Sequence, residues 1–72
     1  EGQYVRQADL YQQLIAAHGD HAKWWLGTAI AWDQLKQYKQ ARRAYEKTRE
    51  LNLRDPQLLA FANQRAQQLR AY

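Results

Sequence analysis

Apolar residues return every three or four positions through four stretches of the chain, and short polar breaks separate the stretches. That spacing is the period of amphipathic helices. The first stretch runs from Gly2 to Ala17, with Tyr4, Ala8, Tyr11 and Leu14/Ile15 as its apolar stripe. His18-Gly19-Asp20 ends it. Gly19 suits the positive-φ position after a helix C-terminus, and Asp20 is a candidate cap for the helix that follows. The second stretch runs from about His21 to Gln34 or Leu35. Trp25, Thr28/Ala29, Trp32 and Leu35 share one face, while Leu26, Gly27 and Ile30 fall outside it, so this helix is apolar nearly all round. Such a helix has to be buried against neighbours. After a short turn at Lys36-Gln37, the third helix carries Tyr38, Ala41, Tyr45 and Thr48 on one face and fades through Leu51-Asn52-Leu53. Asp55 as N-cap and Pro56 at the first helical position start the fourth. Its stripe is Leu59, Ala62, Ala66 and Leu69. Connections this short put consecutive helices antiparallel. The pattern predicts an all-α fold of four antiparallel helices in a single domain over residues 1–72.

Composition narrows the function. A chain of 72 residues forms one small domain that buries only ~60% of its unfolded surface. Three tryptophans, five tyrosines and Phe61 offset that, because each buried aromatic removes ~150–250 Å² from water. There is no cysteine, which excludes disulfides and thiolate chemistry. No run of ~18 apolar residues occurs, so no spanning helix and no membrane contact by this segment is expected. No signal peptide is visible. The chain begins at Glu1 rather than a methionine, so a piece of a longer protein is expected.

The chemistry-bearing residues point away from catalysis. Asp9, Asp33, Glu46, Glu50 and Asp55 are read as spread along solvent faces, whereas acid–base catalysis needs convergent groups. No serine, Gly-rich phosphate loop or His-Glu-x-x-His occurs, so no enzyme activity and no cofactor is expected. His18 and His21 flank Gly19-Asp20, but a structural zinc site needs three or four ligands and only Asp20 is near. The expected reading is a polar turn with no metal. The formal charge is +4, and Lys36, Lys39, Arg42, Arg43, Lys47, Arg49 and Arg54 concentrate it along the third helix. That stretch raises an alternative, a basic helical domain that binds nucleic acid. Glu46 and Glu50 interrupt it, and Arg42–Glu46 reads as an ordinary i, i+4 pair on a solvated face.

One spacing runs through the whole chain. Tyr4, Tyr38 and Tyr72 are 34 residues apart, and so are Tyr11 and Tyr45, Gln3 and Gln37, Gln34 and Gln68, Leu35 and Leu69. A period of ~34 is that of the tetratricopeptide repeat, a helix-turn-helix unit. Residues 22–55 resemble one full repeat of that family, with Trp25, Ala29 and the Ala31-Trp32 pair on the pattern of its first helix and Tyr38, Ala41 and Tyr45 on that of its second. Residues 1–19 resemble the second helix of a preceding repeat. Residues 56–72 resemble a first helix that closes the array as a C-terminal cap. The sequence departs from the family at Lys36, where it prefers glycine, at Thr28, where it prefers leucine, and at Gln7, Asn63 and Arg65, where it prefers small residues. Within the family, Ala22 to Ala31 with the basic, Gln-rich end is similar to the C-terminal repeats of bacterial pilus-biogenesis proteins of the mannose-sensitive haemagglutinin type. That resemblance implies an inner-membrane parent with its repeats in the periplasm.

The resemblance also implies a function: a scaffold or assembly module that binds a peptide or protein segment in a concave groove lined by first helices. Leu26, Gly27, Ile30 and Phe61 would be its apolar contacts, with Lys23, Gln57 and Gln64 as polar rim. The other reading of the same residues is that the first helix or a second chain covers them. Lys23 is the one basic residue among these positions, which speaks against clamping of a terminal carboxylate. Trp24 sits beside Trp25, which already fills the core position. An exposed ring there, on a chain with one full repeat and two halves, leads to the expectation of a homodimer through Trp24 and the exposed side of the first two helices. A purely structural self-association unit is a further alternative.

Overall fold

The computed structural model describes residues 2–72. They form four α-helices: α1 (Gln3–His18), α2 (Ala22–Gln34), α3 (Tyr38–Glu50) and α4 (Pro56–Gln68), with no strand among the described residues. The extensive interhelical contacts join consecutive elements, α1 to α2, α2 to α3 and α3 to α4. The chain therefore builds outward one helix at a time, each reversing on the last.

The helix ends follow from local chemistry. Asp55 caps α4, its Oδ1 accepting from the N–H groups of Gln57 at 3.0 Å and Leu58 at 3.2 Å. Gly19 after α1 has φ +93°, a region that side chains penalise. At the end of α2, the Lys36 N–H donates to the Asp33 carbonyl at 3.0 Å and the Gln37 N–H to the Trp32 carbonyl at 2.9 Å. This pair of bonds closes a helix through a left-handed residue. That residue is Lys36, at φ 62°, so a side chain occupies a conformation costing about 1–2 kcal/mol. Asn52 after α3 is left-handed too, at φ 59°.

One cap differs from expectation. His21, not Asp20, is the N-cap of α2, its Nδ1 accepting from the Lys23 N–H at 3.3 Å. Asp20 is engaged elsewhere. It accepts from the Trp25 indole N–H at 3.1 Å and lies 3.5 Å from the Lys47 ammonium of α3. The indole and the ammonium hold its carboxylate away from the α2 amides and tie the α1–α2 loop to α3.

The core is built largely from alanine. Ala29, Ala41, Ala44 and Ala62 are fully enclosed and lie with Leu26, Tyr45, Leu53, Ala66 and Leu69 in one cluster, with Trp25, Trp32 and Tyr38 packed half-buried at its margin. Small residues bring the backbones close; the rings then cover the seams. The two buried threonines are satisfied within their own helices. Thr28 donates to the Trp24 carbonyl and Thr48 to the Ala44 carbonyl, both at 2.9 Å, so neither hydroxyl is stranded in the core. Leu26, expected to face a ligand groove, is instead 5% exposed and part of the core. Asp33, expected on a solvent face, is largely enclosed as well.

Candidate interaction surfaces

On α2, Lys23, Gly27, Ile30 and Gln34 follow one strip; Lys23 and Gln34 are exposed, Gly27 and Ile30 half-buried. The same spacing on α4 gives Gln57, Phe61, Gln64 and Gln68, all exposed. Each strip follows one face of its helix. Together they carry one charge, Lys23, while the basic residues crowd onto α3.

The two strips solve one packing problem in opposite ways. The Tyr11 ring of α1 lies directly over Gly27, so close that an added Cβ would sit 2.5 Å from two of its carbons. On α4 the matching position is Phe61. It packs edge-on against Tyr45 of α3, ring centroids 5.8 Å apart, and remains 38% exposed. Gly27 is thus floored by Tyr11 rather than open to a ligand, and Ile30 packs against the core on one side. Lys23, Gln57 and Gln64 are exposed.

The seven residues do not close around one concavity. A cavity of about 490 Å³ lies at the other end of α2, between Asp20 to Lys23 and the Leu51 to Arg54 turn, and Lys23 is the one member of the expected set that lines it. Trp24 is half-buried. Its ring lies 4.7 Å from His21 and 5.9 Å from His18, both tilted against it. The two imidazoles cover part of the surface through which a dimer was expected, and they face an indole rather than each other. Among the described residues, no group of three or more His, Cys, Asp or Glu side chains gathers as metal ligands would.

The strongest polar constellation was not anticipated. Asp33 of α2 accepts two bonds from Arg65 of α4, from Nε at 2.8 Å and Nη2 at 2.7 Å, and a third from the Tyr45 hydroxyl of α3 at 2.9 Å. Arg65 also donates to Gln68 at 2.7 Å. A two-pronged guanidinium–carboxylate bond is both strong and directional. Burial, then the bond to Asp33, pushes the Tyr45 phenol above its ordinary value, and the bond to Asp33 raises the Arg65 guanidinium. The three side chains form a strut that joins α2, α3 and α4. By sequence alone, Arg65 is only a misfit at a small-residue position. A signal was available: Asp33 lies on an otherwise apolar helix, where a carboxylate needs a partner.

The Arg42–Glu46 pair is also absent. The ion pairs among the described residues are Lys47–Asp20 and Arg65–Asp33, and Arg42 donates to the Arg70 carbonyl at 3.4 Å instead. No helix of the described residues is long and apolar enough to cross a membrane. Comparison with family models, with curated proteins and with solved structures finds no match to the chain.

Proposed function

We propose that the chain is a helical-repeat module of the tetratricopeptide type that binds a protein segment across the α2–α4 face. The repeat reading is supported by positions 34 apart in sequence that occupy matching places. Tyr11 over Gly27 and Tyr45 against Phe61 are one such pair of contacts. The left-handed Lys36 stands where that family prefers glycine. The binding reading rests on one observation: Phe61 is held by Tyr45 yet 38% exposed, with Gln57, Gln64 and Gln68 along its strip and the one charge a turn away, Arg65, already paired with Asp33. A part-exposed, preoriented aromatic with amide neighbours suits an extended or helical peptide carrying an apolar anchor. A scaffold or assembly role, in pilus biogenesis if the finer resemblance is sound, follows from such binding.

Peptide-display selection on the purified domain, followed by titration of the selected peptides with wild type and Phe61→Ser, tests this. The expected result is peptides with an apolar centre, weakened about tenfold or more by Phe61→Ser while the helical circular dichroism is retained. Selection of no peptide, or binding indifferent to Phe61, overturns the proposal. Binding of nucleic acid that falls steeply with salt would favour the basic-domain alternative.

A further inference from the structure

Among the described residues, positive charge along the α3–α4 seam has no carboxylate partner. Arg42 and Arg49 of α3 and Arg70 just beyond α4 belong to neither of the two ion pairs. Glu46 and Glu50, on the same helix, pair with none of them. Arg49 and Arg70, with Glu46, Ala66 and Gln67, line a cavity of about 290 Å³. Arg42 lies one turn before Glu46 on α3 and reaches the same end of α4, through its 3.4 Å bond to the Arg70 carbonyl. Its Nε–H is buried with no acceptor among the described residues. A buried donor left unmade costs free energy, so this guanidinium gains by turning toward an incoming carboxylate. Arg49 and Arg70 are exposed and offer the fork geometry that grips a carboxylate through two parallel bonds.

We infer that the α3–α4 groove is a second docking site, for an acidic protein segment whose carboxylates meet Arg49 and Arg70 and draw Arg42 toward them. The acidic protein is favoured over nucleic acid by Glu46. A phosphate backbone running through the groove would meet that carboxylate, and phosphates offer nothing to pair with it. A polypeptide can present a lysine or arginine to Glu46 while its glutamates take the arginines. The site does not depend on the Phe61 face, and either can fail without the other.

The probe is a blocked peptide with glutamates one helical turn apart and a central lysine, beside a twin in which glutamine replaces every glutamate. Both are titrated into the whole chain while the arginine Nε–Hε signals are followed by ¹H–¹⁵N NMR. The acidic peptide is expected to shift Arg42, Arg49 and Arg70 in a saturable way and to leave Arg6, Arg43 and Arg54 in place. The glutamine twin should move none of them. The double variant Arg49→Gln/Arg70→Gln changes only exposed side chains and should bind the acidic peptide about tenfold or more weakly. Shifts spread evenly over all arginines, or equal binding by the double variant, overturn the inference. An oligothymidylate that moves the same three signals at lower concentration than the peptide also overturns it, and assigns the seam to nucleic acid.

Discussion

Replacing Gly27 by alanine places a Cβ 2.5 Å from Cε2 and Cζ of Tyr11 and 3.0 Å from its Cδ2. Carbon atoms rest at about 3.5–4.0 Å, so either the ring slides by roughly an ångström or α1 backs away from α2. Forcing a methyl into packed space costs about 1–3 kcal/mol. Against that, alanine in a helix interior is favoured over glycine by about 0.8–1 kcal/mol. The contact falls on the flank of the ring, three carbons deep, so rotating a side-chain tip does not relieve it. The steric cost wins, and Gly27→Ala should lower stability by up to about 2 kcal/mol, where each kcal/mol moves the midpoint by ~4–8 °C in a domain this small. In a Tyr11→Ala background the steric cost vanishes and the helix preference remains, so the same substitution should stabilise by ~1 kcal/mol. The coupling between the two sites is then about 1–3 kcal/mol. Thermal and urea unfolding of the four proteins by circular dichroism measures it. If Gly27→Ala stabilises equally with and without the Tyr11 ring, the ring is not seated on Gly27 and the reasoning fails.

Two further outcomes follow from single residues. Lys36 is exposed and left-handed, so Lys36→Gly should raise stability by about 0.5–1 kcal/mol, the relief of backbone strain exceeding the entropy that glycine adds to the unfolded chain; an unchanged or lower thermal midpoint counts against it. The Tyr45 phenol is held neutral by burial and by Asp33, so its contribution is full below the ordinary tyrosine value of about 10, at which an unfolded phenol is half ionised, and is lost as pH rises from there through the higher folded value. Wild type should therefore lose more stability than Tyr45→Phe between about pH 8 and about pH 11, as read from urea midpoints, and parallel curves would contradict the account.

The fold was legible because the packed stripes of α3 and α4 are local patterns. Ala41, Tyr45, Thr48, Ala62, Ala66 and Leu69 were read as one face each and are buried. The surface was less legible, for a physical reason visible at Leu26 and Ile30. Both lie outside the main apolar face of α2, about one helical turn apart. Which of them is covered depends on how α1 and α3 are placed, and periodicity carries no such information. Leu26 is taken into the core; Ile30 stays half-open. The Asp33–Arg65 bond joins residues 32 apart, beyond any local pattern. Asp20 was lost as a cap because Trp25 and Lys47, neither its neighbour in sequence, compete for its carboxylate.

The positions that break the 34-residue pattern are also those that create the candidate surface. Residue 31 is an enclosed alanine on α2. Its counterpart on α4 is Arg65, whose long side chain reaches back to Asp33. Residue 27 is glycine because Tyr11 occupies the space above it. Its counterpart, Phe61, meets Tyr45 edge-on and stands partly clear. Tyr45 meets α4 through this edge-on contact while its hydroxyl is anchored on Asp33. The strut and the exposed phenylalanine therefore belong together: Arg65 orients Asp33, Asp33 fixes Tyr45, and Tyr45 sets the angle at which Phe61 faces solvent. A ligand that gripped Phe61 would pull on α4 through this chain of contacts. The strut opposes that pull with a paired, largely enclosed charge, whose separation costs far more than an exposed pair would. Rigidity at the Phe61 face thus comes from polar bonds rather than from a larger apolar core, which a chain of 72 residues has little room to build.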